Sequence, residues 1–542
     1  MLANAEQTSA SSQKYAVPEE ARRLLKLLIR KNPALQIPEK FVDSNIHFKG
    51  DALPALPGGL KSGAFSAACS AAFGAVADQI AQDRYGGEAS NITIDTDHAG
   101  YFLASPLLCK YENEAPDWEN TDLRSKPLYA CATGIYPTKD GRWFQLHGDL
   151  DCIPMLQNVG ILNSPDDTST LEEAREIYSQ WTMLHNADEL EAMMVKYRHS
   201  GSKCYKPEEW LATDMGKALA DKPLCDVRQL TPPENPTPYP SASKKRILEG
   251  IKVVEMVRII AGPVIGKTLA ELGAQVIRVN PPHLRDLTWL QHTLTAGSHT
   301  VSLDARQPKQ KAQLEELIAQ ADVFIDGYRP GSLERLGFGK QRVMELAGRN
   351  IIYVDESCYG VEGPYSGRPG WQQIADAASG VSVVQAQTLG MDNHALLPPL
   401  PITDLLTGVL GATSTLCALR DRARKGGSYR VVASLTALDM FFISEEVGIY
   451  PSEIVQKVEQ TFGFGVIQAS DHVRTLAARI TKAWKLRRPD HMDFEGRFFA
   501  GFDNGPFGRM KIVAPVAQLD KYPSKWDASP RPYGYDQPTF LY

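Results

Sequence analysis

Between residues 246 and 403, short apolar runs of strand length alternate with helix-length stretches. This alternation limits the fold more than any other feature of the chain. The run KVVEMV (252–257) is apolar at four of its six positions and rich in valine. It reads as a strand buried on both faces. A helix is expected over residues 263–272 and a second strand over QVIRV (275–279). The runs ADVFID (321–326) and NIIYVD (350–355) continue the series. Strands separated by helices pair in parallel and are covered on both faces, so the expected class is α/β.

A proline-rich stretch divides the chain. TPPENPTPYPSAS (231–243) holds five prolines. Proline has no N–H to donate and fixes its own φ, so this stretch continues neither a helix nor a central strand. Residues 231–245 are expected to be an extended linker between a first part (1–230) and a second (246–542). A short arm packed on one part is the alternative. The two parts share a pattern. AVADQIAQDRYGG (75–87) and TLCALRDRARKGG (415–427) each read as a helix with arginine near its end and a Gly-Gly stop. A short strand and an apolar helix follow in both. Further on, DGRWF (140–144) is echoed by EGRFF (495–499). Two matches in the same order indicate an internal duplication. The first part lacks the strand–helix series. Its residues 120–230 are expected to form a small α+β unit, with polar helices in 167–181 and 187–197.

Composition excludes several function classes. The chain has 542 residues, 43% hydrophobic and 23% charged, which suffices for large cores without staples. A net charge of −6 without a basic stripe gives no reason to expect a nucleic-acid partner. The eight cysteines form no C-x-x-C pair, so neither a metal site nor a disulfide framework is expected. That usage fits a reducing compartment, and a cytoplasmic location is expected. The N-terminus has no basic start followed by an apolar run, so no secretory leader is expected. No stretch approaches ~18 consecutive apolar residues, so no membrane span is expected.

The first chemistry-bearing motif follows strand 252–257. Ala261-Gly262-Pro263-Val264-Ile265-Gly266 puts small residues where a strand passes into a helix. Small residues let a ligand approach the backbone, and a helix N-terminus offers free N–H groups to an anion. The motif lacks G-x-G-x-x-G, and Asn280 stands where a ribose-binding acid would follow the second strand, so a dinucleotide site is not indicated. A purely structural turn fits the motif equally well.

The wider sequence is more specific. Residues 248–282 (LEGIKVVEM to VIRVNPP), 321–339 (ADVFIDGYRPGSLERLGFG), 357–370, 375–380, 404–408 (DLLTG), 419–435 and 511–536 resemble the class III (family III) CoA-transferases. That group includes formyl-CoA transferase, carnitine CoA-transferase and α-methylacyl-CoA racemase. Residues 132–149 and 206–224 resemble the family's small domain, but out of order. The resemblance implies a Rossmann-like parallel-sheet CoA-binding domain with a smaller α+β domain. Family members form interlocked dimers, so it also implies a fusion of two incomplete copies folded as an internal pseudo-dimer. Coenzyme A or an acyl-CoA is the implied substrate and a carboxylic acid the small-molecule partner. A homo-oligomer is possible.

The resemblance also assigns residues. It implies a nucleophilic aspartate after R-P-G-aromatic, attacking the thioester and carrying the acyl group as a mixed anhydride. Here Arg368-Pro369-Gly370-Trp371 is followed by Gln372, which is no anionic nucleophile, and the racemases' His-Asp pair is absent too. Asp376 lies one helical turn further on and is the candidate replacement, or else a solvated first-turn carboxylate. Glu356, Glu362 and Cys358 are weaker candidates. His147, with Asp149 or Asp151, is a candidate acid–base group contributed by the small unit. Arg258, Ala261, Gly262 and Arg329 are the expected CoA contacts, with Lys267 a further cation. The segment 295–300 (TAGSHT) lacks the cations that the family carries there. The expected activity is acyl-CoA-dependent transfer at a non-standard site. Racemase-type α-proton chemistry and a non-catalytic use of the cleft are the alternatives.

Overall fold

The computed structural model describes residues 15–112, 126–161, 170–233 and 235–541. The expected leaderless N-terminus, the start of the small unit (120–125) and residues 167–169 lie outside the described residues.

The runs read as strands pair into one sheet. Its strands are β1 (Asp226–Gln229), β2 (Lys252–Met256), β3 (Gln275–Asn280), β4 (Ser298–Ser302), β5 (Val323–Asp326), β6 (Ile352–Ser357) and β7 (Tyr429–Ser434). Their spatial order is β4-β3-β2-β5-β6-β7-β1. All neighbours are parallel except β7 and β1, which are antiparallel. From β2 the chain winds first to one side and then to the other, which is the doubly wound Rossmann order. Every residue of β3 is buried. One ion pair lies inside this layer: Arg278 Nε donates to Glu255 Oε1 at 2.6 Å, both side chains fully enclosed. Gly266 makes room for it, because a Cβ there would overlap the Glu255 carboxylate.

Behind the sheet lie two long helices, Ser62–Tyr85 and Ile402–Lys425, each of 24 residues. By length and composition both could cross a membrane, unlike the sequence expectation, but 94% of each apolar window is buried inside the protein. They are central core helices packed on each other. Each ends at a glycine with positive φ, Gly86 at 65° and Gly426 at 75°, a conformation that suits glycine. A strand and a helix follow each stop: Ile92–Asp95 then Thr96–Phe102, and β7 then Leu435–Phe442.

The two parts exchange strands. β1, from before the proline stretch, forms the edge of the second part's sheet. In return, Gln518–Leu519 pairs antiparallel with Ile92–Asp95, which also pairs in parallel with Ile46–Lys49. Cys109–Tyr111 completes a small sheet with Phe499–Phe502 and Met510–Val513. The proline stretch itself runs between the parts. Thr237 N donates to Arg422 O, and Arg84 donates to Pro240 O. A separate small α+β unit holds the antiparallel strands Gly134–Pro137, Trp143–His147 and Ser200–Lys203, with helices Leu171–Thr182 and Ala187–Tyr197 over its own core.

Candidate active site

In a doubly wound sheet, ligands enter at the carboxyl ends of the strands, where the winding reverses. A cleft of about 650 Å³ opens there, at the ends of β2, β5 and β6. Its walls come from both parts of the chain. The small unit contributes Asp149, Asp151, Arg198 and His199. The second part contributes Arg258, Arg285, Tyr328, Arg329, Arg368 and Trp371. Its most enclosed side is formed by Ala261, Glu356, Cys358 and Asp404.

Five arginines line the walls; Arg368 pairs with Glu191 at 2.8 Å, and the other four give the cleft a cationic mouth. Arg258 donates to Asp286 at 3.1 Å. Arg329 pairs with Asp149 at 3.1 Å while half its side chain stays exposed. Arg285 lies 3.6 Å from Asp151, and Arg198 is exposed. Such guanidinium groups suit phosphate oxygens. Asp149 is a junction between the parts. It also accepts from Trp371 Nε1 at 2.6 Å and from Ser200 Oγ at 2.7 Å. Burial opposes its ionisation, but Arg329, His147, Trp371 and Ser200 outweigh burial and hold its carboxyl below the ordinary value.

The inner end is acidic. Glu356 is the penultimate residue of strand β6, and Asp404 lies in the first turn of helix Ile402–Lys425. Among the described residues, neither has a hydrogen bond or a cation paired with it. Burial pushes the Asp404 carboxyl up to about 7. Burial, reinforced by Asp404 and Asp326, pushes Glu356 up to about 8. Packing fixes Asp404 in place. Gly408, one turn further along, lies so close to Val264 that a Cβ would overlap it, and Gly411 packs against Ile265 in the same way. The helix bearing Asp404 is thereby pressed onto helix Ala261–Ala270.

The sequence-derived candidates divide. Arg258, Ala261 and Arg329 line the cleft. Gln372 and Asp376 do not. Both are buried in helix Gln372–Ser379, where Gln372 Nε2 donates to Asp376 Oδ2 at 3.1 Å. Burial, then the charge of Asp404, raises the Asp376 carboxyl well above the usual range. A solvated first-turn carboxylate at 376 is thus excluded by its enclosure. His147 is also off the wall. Its ring stacks on Trp371 at 5.1 Å and accepts from Asp149 N at 3.0 Å, so it backs the indole that lines the cleft. Cys358 lines the cleft but burial raises its thiol well above the ordinary value, which leaves it protonated. Glu362 is exposed and paired with Lys222 and Arg228. Lys267 faces Trp526 and Glu271, away from the cleft. The expected approach of a ligand to Gly262 is replaced by an intramolecular one. A Cβ there would sit 2.8 Å from Val257 and 3.4 Å from Glu356 Oε2, so the chain's own side chains fill that space. Asp404 is the residue sequence reasoning passed over. An acid four residues before a closely packed helix glycine was the signal available.

Fold and cleft together define a doubly wound α/β protein with a cationic entrance and an acidic inner end. Residues 248–486 match the model of CoA-transferase family III. The chain is 38% identical to an acyl-CoA transferase of Gibberella moniliformis, covering 98% of this chain and 97% of that one. It is 31% identical to the acetyl-coenzyme A transferase nodX of Hypoxylon pulicicidum, over 98% and 94%. Among solved structures, a CAIB/BAIF family protein from Brucella suis aligns with a TM-score of 0.40 at 19% identity, covering 53% of this chain and 96% of that one. The chain belongs to CoA-transferase family III.

Proposed function

We propose that the protein transfers coenzyme A between carboxylic acids, with Asp404 as the acyl-accepting carboxylate. The observation that carries this reading is a carboxyl free of any cation or hydrogen bond, facing the inner end of a cleft whose mouth is lined with guanidinium groups. A thioester-bearing nucleotide fits that polarity, with its phosphates at Arg198, Arg258, Arg285 and Arg329 and its sulfur end at Asp404. In the donor half-reaction, the Asp404 carboxylate attacks the thioester carbon. The C–S bond breaks, CoA leaves as thiolate, and a mixed anhydride forms. The thiolate then attacks the Asp404 carbonyl, releasing the donor acid and leaving an aspartyl-CoA thioester. The acceptor carboxylate repeats these steps in reverse and leaves with CoA, and Asp404 returns as carboxylate. No proton is consumed. On this reading, glutamine at position 372 removes no nucleophile from the cleft, because the carboxylate comes from another helix.

Acetyl-CoA with ¹⁸O-acetate tests the reading. Each turnover leaves one acetate oxygen on the accepting carboxylate, so the peptide containing Asp404 should gain 2 Da after one turnover and approach 4 Da after many. Label on another acid, or on none while exchange proceeds, would overturn the assignment. The pair of acids also favours a second reading, proton exchange α to a bound thioester by one neutral and one ionised carboxyl. That reading requires deuterium from solvent in recovered propionyl-CoA without acyl exchange.

A further inference from the structure

The transferase reading uses Asp404 and leaves Glu356 without a task, although Glu356 faces the same space. Its position is built with care. It is the penultimate residue of β6, beside the switch point, and its Oε2 lies in a slot between two glycines. A Cβ on Gly262 would stand 3.4 Å from that oxygen, and one on Gly327 3.1 Å from it. Neither glycine has a positive φ, so the backbone does not demand glycine at either place. What a side chain would obstruct there is the Glu356 carboxyl and Val257 beside it. A carboxyl lodged this way is held in one position.

Its surroundings fix its protonation. The titratable groups that bear on it are Asp404 from the long helix, Asp326 from β5 and Cys358 from the loop after β6. Helix Ala261–Ala270 brings a single charged side chain, Lys267, which is turned toward Glu271 and Trp526. Asp355, next on β6, is bound to Arg430 at 2.7 Å. Two enclosed carboxyls without a cation carry one charge between them far more easily than two. Asp404 lies in the first turn of a 24-residue helix, where the free N–H groups favour an anion. The proton therefore belongs to Glu356.

Resting on the transferase reading, we propose that Glu356 is a catalytic hydrogen-bond donor: its neutral carboxyl binds the thioester carbonyl oxygen and receives the charge that develops there when Asp404 attacks. A preorganised donor at that point contributes only as the oxyanion forms, so it acts on kcat more than on KM. No bond to Glu356 is made or broken, and its proton stays on the carboxyl.

The test measures exchange of acetyl-CoA with d3-acetate by the full chain. Glu356→Gln retains a neutral donor of the same shape and should keep kcat within about threefold, while the fall in rate on the alkaline side of the wild-type profile disappears. Glu356→Val removes the donor and should lower kcat by about 10²–10³-fold with KM for acetyl-CoA changed less than about threefold. Equal kcat in the Gln and Val variants, or an unchanged alkaline limb in Glu356→Gln, overturns the proposal. Thermal melts of both variants separate a lost fold from a lost donor, and Glu356→Gln alone decides if the Val variant does not fold. The ¹⁸O experiment on the wild-type chain reports Asp404 independently. Label there with no effect at Glu356 sinks this inference and leaves the transferase reading standing.

Discussion

At the scale of residues, the contrast between Asp404 and Asp376 is one of access. Both carboxyls are raised by burial, yet one faces the cleft and the other is bound to Gln372 behind its wall. Asp404→Asn should reduce acetyl exchange by about 10³-fold or more, because the amide neither attacks nor leaves as a carboxylate does. Asp376→Asn should leave turnover within about threefold. An inactive Asp376→Asn that still melts like wild type would reverse the two roles. The pH dependence follows from the same pair. Asp404 must be ionised, so kcat/KM falls as pH drops through about 7. Glu356 must be neutral, so it falls again as pH rises through about 8. The expected profile is a narrow bell, and removal of the acid limb requires a change at Asp404. Of these residues, sequence pointed to Arg258, Arg329 and Ala261, whose motifs sit directly at the switch point, and not to Arg198 or Arg285. It missed Asp404, because the run after that residue reads as an ordinary apolar helix, and nothing local tells which face of its first turn meets the cleft.

At the scale of elements, one contact holds the acid where it is. The helix carrying Asp404 approaches helix Ala261–Ala270 at Gly408 and Gly411, against Val264 and Ile265. Gly408→Ala should push the two helices apart and cost about 1–3 kcal/mol, read as a lowered urea midpoint at unchanged slope. Because the displaced segment bears Asp404, kcat should fall with it. A variant with lost stability and wild-type kcat would show that the helix absorbs the strain beyond the site. The strands that sequence made legible are those buried on both faces: residues expected at 252–257, 275–279, 321–326 and 350–355 lie in β2, β3, β5 and β6. Among those it did not reveal are Asp226–Gln229 and Gln518–Leu519. Their sequences carry no apolar run, and their extended state is set by partners more than a hundred residues away.

At the scale of the molecule, those two edge strands cross between the parts. The first part gives β1 to the second part's sheet and receives Gln518–Leu519 in return, while its small unit supplies Asp149 and Arg198 to the cleft. The strands that follow the matching glycine stops, Ile92–Asp95 and β7, each receive one of the exchanged strands in antiparallel pairing. Helices Ser62–Tyr85 and Ile402–Lys425 bury their small and apolar faces on each other, so neither part is expected to close a core alone. Separating the chain at the proline stretch, into residues 1–236 and 237–542, tests this directly. Each piece expressed alone should be insoluble or unfolded by circular dichroism. Expressed together, they should purify as a one-to-one complex that binds one acetyl-CoA by calorimetry and retains turnover, because the cut leaves both edge-strand pairings between the parts in place. If residues 237–542 alone fold, bind acetyl-CoA with unchanged affinity and exchange acetate, then the wall formed by Asp149 and Arg198 is dispensable and the active unit is the second part by itself.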